Sequence, residues 1–199
     1  MTKSKAWHRE KRLVLHEPIQ TERFILRSET LLGAFRLALS LNRSAQARYY
    51  LRQQKEPWNV WRVFRRTTRP NKKSRFVHAI VDRQSGKAIG VHETRLQQYR
   101  TLTLSVAIFD TDWWGKGVVQ EVRPALIAKF CSQTGAKQIF CQVRQDNHAS
   151  IANHRKMGSE VIGVNPYAYW DEDTGRPGEM VFFSLHGENL EKLVKQNTK

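Results

Sequence analysis

The chain has 199 residues, two cysteines and a formal net charge of +16. That length suits one domain with a buried core. No apolar run approaches the roughly 18 residues of a membrane span, and Cys131 and Cys141 lack CxxC spacing. A membrane span is therefore not expected, each cysteine reads as a buried thiol, and nothing demands an oxidising compartment.

The charge is uneven. Residues 1–75 hold 19 Lys+Arg against 5 Asp+Glu, and residues 76–199 hold 15 against 13. So dense a cationic region repels itself unless it is solvated or meets an anion. Residues 36–75 are the candidate contact surface for a nucleic acid, with a solvated basic face as the alternative. The opening "MTKSKAWHREKRLVL" is basic without an apolar core, so it does not read as a signal peptide. A cytoplasmic protein is the expectation, with residues 1–20 as a basic extension, a domain over 21–187 and a tail over 188–199.

"TERFILRS" (residues 21–28) alternates as a first strand, with Phe24 and Leu26 on one face. Leu31, Leu32, Phe35 and Leu39 then recur at helical spacing after Ser28, a suitable N-cap. "RSAQARYYLRQQ" and "PWNVWRVFRRT" predict two further short helices, the second started by Pro57. "RFVHAIVD", the turn "RQSG" and "KAIGVHETRL" form a β-hairpin. "TLTLSVAIF" (residues 101–109) is the next strand. A helix follows from Gly117 to about Gln133, with Val118, Val122, Ala125, Leu126 and Phe130 as its apolar stripe and Gly135 past its end. Pro124 inside it removes a bond to the carbonyl of Gln120. "KQIFCQVR" is a strand, "NHASIANHRKMG" a short helix, and "EVIGVNPYAYW" with "EMVFFSL" a closing hairpin. "DEDTG" between them lacks the spacing of a calcium loop and reads as a turn. "ENLEKLVKQNTK" predicts a short fraying helix.

"DTDWWGKGVVQE" (residues 110–121) is the stretch that carries chemistry. A strand, a glycine turn and a helix start form an anion site, because the first amides of a helix have no intrahelical partner and the dipole favours negative charge. Gly115 and Gly117 permit close approach of a ligand, and Lys116 adds a cation. The spacing is neither a Walker A loop nor a Rossmann turn.

The combination of Trp114-Gly115-Lys116-Gly117, Glu121, Asn147 with Ser150, Lys156 with Gly158, and the opening "TERFILR" resembles the GNAT family of acetyl-CoA-dependent N-acetyltransferases. Within it, the style is similar to the RimJ/RimL branch that acetylates ribosomal-protein N-termini. The resemblance spans roughly residues 21–185. It implies an α/β fold with a mixed, mostly antiparallel sheet of about seven strands and about four flanking helices. It implies coenzyme A as cofactor, bound as acetyl-CoA, with no metal. The amides of Gly115, Lys116, Gly117, Val118 and Val119, beside Trp114, would hold the pyrophosphate. The backbone of Ala107, Ile108 and Phe109 would pair with the pantetheine arm and polarise the thioester carbonyl. Asn147 and Ser150 would lie near the sulfur, Ser150 as donor to the thiolate. Glu93 is the candidate base, on the strand beside the coenzyme strand, with His92 turned to the opposite face. Tyr167 and Tyr169 are candidates for lining the acceptor pocket. The chain departs from the family pattern at Val119, usually Gly or Ala, at Ser159, usually aromatic, and at His154, where many members carry Tyr. The acceptor options are a ribosomal-protein N-terminus, an aminoacyl-tRNA or a small amine, with a polyamine disfavoured by the basic rim. A non-catalytic RNA- or ribosome-binding member is the alternative from another class. The expected state is monomer or homodimer.

Overall fold

The computed structural model describes residues 15, 17–28, 32, 33, 35–37, 39, 74–171 and 174–198. Its centre is an eight-stranded sheet in the order β1-β2-β3-β4-β5-β6-β8-β7. The strands are β1 (Ile19–Gln20), β2 (Phe24–Arg27), β3 (Arg75–Asp82), β4 (Ala88–Leu96), β5 (Thr101–Ile108), β6 (Gln138–Arg144), β7 (Glu160–Asp171) and β8 (Arg176–His186). Three helices, α1 (Val118–Thr134), α2 (His148–Lys156) and α3 (Gly187–Asn197), accompany it. The described residues between 32 and 39 are also helical. The expected mixed α/β architecture holds, with β1 as the strand that the sequence pattern does not announce. The two further short helices expected before residue 70 lie outside the described residues.

Every pairing is antiparallel except that of β5 with β6. Strand alternation sorts the faces. On one face stand Phe76, Leu102, Leu104, Ile139 and Phe183, joined by Val122, Leu126, Ile127 and Phe130 of α1 in the main core. Phe76 and Phe130 meet edge to face at 5.2 Å. On the other face Leu37 and Phe109 form a smaller cluster with Val91 and Ala107 packed against it.

α1 starts at Gly117 and stops at Gly135, both in the left-handed region, and the Gly135 N–H caps the Cys131 carbonyl. It runs through Pro124 without interruption. Its buried side is wider than the expected stripe and includes Arg123.

The core reaches past both expected domain bounds. Leu15 and Ile19 are buried in it, and the Leu15 carbonyl lies 3.1 Å from His78 Nε2. α3 packs on α1 and buries Leu190 and Leu193, so the tail is part of the packed structure. Among the described residues of the first predicted helix, Leu32 and Phe35 are exposed and Leu37 is buried. The inward face there differs from the one the Leu31, Leu32, Phe35 and Leu39 spacing suggests.

Candidate coenzyme and acyl-transfer site

β5 and β6 pair over only three residues, Thr101↔Gln138, Leu102↔Ile139 and Thr103↔Phe140. β5 continues to Ile108 and β6 to Arg144, so the two strands diverge into a fork. The Cys141 thiol donates to the Leu104 carbonyl at 3.7 Å at its apex. On its other edge β5 stays paired to β4 through Gly90↔Ile108. Only glycine fits there, since a Cβ on Gly90 would come within 2.4 Å of the Ala107 carbonyl oxygen.

Backbone direction decides which β5 residues face the fork. The Phe109 N–H donates to Ile89 O, and the Gln97 N–H donates to Thr101 O. Odd-numbered residues therefore turn their backbone groups to β4, and alternation leaves those of Leu104, Val106 and Ile108 for the fork. Of the three predicted coenzyme-strand residues, Ile108 presents its backbone to the fork, while Ala107 and Phe109 present theirs to β4. Val106 also turns its backbone to the fork, and strand polarity relative to two neighbours has no signature in one strand's sequence. The Ile108 carbonyl already accepts from the Trp114 indole Nε1 at 3.0 Å.

The fork opens toward the glycine turn. A one-turn 3₁₀ helix, Thr111–Trp113, is capped by Asp110, which is held by Lys87 at 2.7 Å. Trp113 packs edge to face on Phe24 at 5.3 Å, and Lys116 Nζ lies 5.8 Å from the Trp113 ring centre. The two tryptophans thus anchor the turn, one to β2 and one to the end of β5. Gly115 and Gly117 have φ of 73° and 74°. The first helical bond runs from Glu121 N–H to Gly117 O. The N–H groups of residues 117–120 therefore have no partner within the helix. Such a set of donors suits a phosphate-bearing anion.

Beneath the turn lies a clasp built from residues about a hundred positions apart. Glu121 Oε1 accepts from Thr21 Oγ1 at 2.6 Å and from the Arg23 N–H at 2.8 Å. Its Oε2 accepts from Arg23 Nε at 2.7 Å. Arg23 Nη1 then donates to the Lys116 carbonyl at 3.1 Å. Burial raises the Glu121 proton affinity, but these hydrogen bonds outweigh it and hold the carboxyl below its usual range. The clasp neutralises a carboxylate in the first turn of α1, where it would otherwise repel a phosphate.

α2 begins at Asn147, whose Oδ1 accepts from the Ser150 N–H at 3.1 Å. Asn147 therefore caps the helix, and Ser150 sits half-buried in its first turn. Side-chain hydrogen bonds join α1 to α2, Gln120 Nε2 to Asn153 Oδ1 at 3.0 Å and Arg123 Nη1 to His154 Nε2 at 3.1 Å.

Glu93 lies level with the fork apex, opposite Ser105 and on the face away from α1. His92 stands on the α1 face and is fully buried, as alternation requires. Glu93 is bridged by two guanidiniums, those of Arg75 and Arg95. Burial raises its proton affinity, and the hydrogen bonds from Arg75 and Arg95 more than offset that, leaving the carboxyl below its usual range. It is thus an ionised carboxylate rather than one poised near neutrality. Of the two tyrosines on β7, Tyr169 packs on Gly178 and under the Arg144 guanidinium, 4.6 Å from it, while Tyr167 is exposed. Val119 is half-buried beside the turn. Among the described residues no cluster of three His, Cys, Asp or Glu could hold a metal ion, and no helix is long and apolar enough to cross a membrane.

Residues 23–160 match the acetyltransferase (GNAT) domain family. Solved structures agree in fold. A putative ribosomal-protein-serine acetyltransferase from Vibrio cholerae superposes with a TM-score of 0.68 at 20% identity, covering 86% of this chain and 98% of its own. The microcin C7 self-immunity acetyltransferase, in complex with acetyl-CoA and AMP, gives 0.70 at 18% identity over 87% and 99%. RimL, a ribosomal alpha-N-protein acetyltransferase in complex with coenzyme A, gives 0.72 at 14% identity over 87% and 99%.

Proposed function

Since this chain belongs to the GNAT acetyltransferase family and is an acetyl-CoA-dependent N-acetyltransferase, we propose that its acceptor is the N-terminal amine of a protein, of the ribosomal-protein type. The observation that carries the site assignment is the fork between β5 and β6 ending at the unpaired amides of residues 117–120. The pantetheine arm lies along the fork-facing backbone of Val106 and Ile108, and the pyrophosphate lies on the turn of Gly115, Lys116, Gly117, Val118 and Val119. A flexible amide-bearing arm suits an open strand edge. Ser150 hydrogen-bonds near the sulfur, and Asn147 serves it by capping α2.

Transfer is direct. The amine attacks the thioester carbonyl from the Glu93 face of the sheet. Because Arg75 and Arg95 hold Glu93 ionised, it takes up the amine proton through a water rather than as a strong base in direct contact. The motif style supports a protein N-terminus, as do structural relatives that bear ribosomal-protein names. The candidate nucleic-acid surface, residues 36–75, lies almost wholly outside the described residues, and an aminoacyl-tRNA is the second acceptor that its charge favours.

The test is acetyl transfer from labelled acetyl-CoA to ribosomal proteins, aminoacyl-tRNA and spermidine, with wild type and Glu93→Gln side by side. Label should appear on protein N-termini, and Glu93→Gln should lower kcat by about 10²–10⁴-fold with KM for acetyl-CoA little changed. Labelling of spermidine alone rejects the acceptor, and an unchanged kcat removes Glu93 from the proton path.

A further inference from the structure

A buried cation with no counter-ion among the described residues lies at the foot of the fork. Arg123 projects from α1 into the core and is 2% exposed. Its Nη1 meets His154 Nε2 at 3.1 Å, and its Nε has no partner. His154 is itself 3% exposed and stacks on Phe183, with ring centres 4.9 Å apart. The titratable groups around the cluster are His92 on β4, with His78 of β3 beside it, Cys141 on β6 and His154 on α2. No carboxylate pairs with Arg123 among the described residues. Both ring nitrogens of His92 and the Thr94 hydroxyl are buried and unpartnered. Burial, and next the Arg123 charge, keep His92 and His154 neutral, the latter with its pKa brought down to about 3. The cluster therefore carries one positive charge in a poorly solvated place, where unpaired charge is costly.

Its position is informative. The guanidinium is flanked by β4, β6 and α2, the elements that surround the diverging end of β5. Cys141, one of its neighbours, marks the fork apex through its bond to Leu104. His154 follows Ser150 by four residues, about 6 Å along α2.

We propose that Arg123, held in place by His154, is the counter-charge for the coenzyme A sulfur as the acetyl group departs. The proposal rests on the acetyl-transfer reading and adds to it a residue set deep in the core. The amine lone pair forms the N–C bond while the C–S bond breaks, and its electron pair goes to sulfur. The amine proton leaves on the Glu93 side. Arg123 gives up no proton and remains the cation opposite the new thiolate. His154 Nε2 accepts from Arg123 Nη1 and positions the guanidinium without titrating.

The experiment is an ultraviolet titration of the thiol of coenzyme A bound at saturation, with desulfo-coenzyme A as the blank. The bound thiol should ionise below the free one by on the order of one to two pH units. Arg123→Leu should bring it back to the free value and lower kcat by about tenfold or more, with KM for acetyl-CoA nearly unchanged. Arg123→Lys should keep most of the shift. A wild-type thiol that ionises at the free value overturns the proposal without any variant, so a poorly folding Arg123→Leu does not shelter it. The same shift in wild type and Arg123→Leu overturns it too. Failure of wild type to bind coenzyme A at all overturns the underlying acetyl-transfer reading instead.

Discussion

Gly117→Glu is expected to abolish acetyl-CoA binding while the protein stays folded. Gly117 caps α1 with φ of 74° and ψ of 12°. A residue with a Cβ pays about 1–2 kcal/mol for that left-handed conformation. Space is not the obstacle, because a Cβ there meets only Gln120 Oε1 at 3.5 Å and Arg23 Nη2 at 3.6 Å. The fold therefore survives with a modest loss. Binding does not, because a carboxylate then occupies the helix N-terminus where the pyrophosphate is proposed to lie, and like charges replace the favourable dipole contact. A loss of more than about 100-fold corresponds to only about 2.7 kcal/mol, within reach of one misplaced charge. Gly117→Ala separates the causes, since it carries the strain without the charge. Calorimetry for affinity and thermal unfolding for the fold give both readouts. Wild-type affinity in Gly117→Glu would move the pyrophosphate elsewhere.

The second large effect is at Glu121. Glu121→Ala removes three hydrogen bonds at once and leaves the Arg23 guanidinium its link to the Lys116 carbonyl and its contact with the Phe24 ring. The Arg23 side chain is 40% exposed, so its ion pair is partly screened and contributes less than a buried one. The expected cost is about 1–3 kcal/mol in stability. KM for acetyl-CoA should rise about tenfold with kcat little altered, since the clasp positions the turn and touches no reacting atom. The pH dependence has a definite sign. The folded carboxyl sits below its unfolded value, so the clasp stabilises fully above the unfolded pKa and is lost as pH falls through the folded one. Wild type should therefore lose stability in acid that Glu121→Gln never had. Equal acid profiles for the two proteins would deny the clasp its role.

Much of the scaffold is legible in the sequence because it is periodic. The β3–β4 hairpin, β5, α1, β6 and the last hairpin follow from alternation, helical spacing and glycine stops. The turn of residues 110–121 is legible because its glycines and the helix after it are contiguous. What is not legible joins distant segments. Thr21 and Arg23 reach Glu121 across 98 to 100 positions, and nothing in either segment alone announces the other. The fork depends on where pairing stops after Thr103, although "TLTLSVAIF" continues as a strand. Arg123 follows Val122 in what reads as an apolar stripe, and a charge there looks like a solvated neighbour until the helix is placed on its sheet. Glu93 is correctly assigned to the face opposite His92, but its two arginine partners come from β3 and from two residues further along β4.

The central claim is that the β5–β6 fork and the glycine turn hold acetyl-CoA. Amide chemical-shift mapping during an acetyl-CoA titration tests it most directly. Saturable shifts are expected at Val106, Ile108, Gly115, Gly117, Val118, Val119 and Ser150, with an affinity in the range of about 1 µM to 1 mM. Saturable shifts confined to other parts of the chain, or none at millimolar acetyl-CoA, would contradict it.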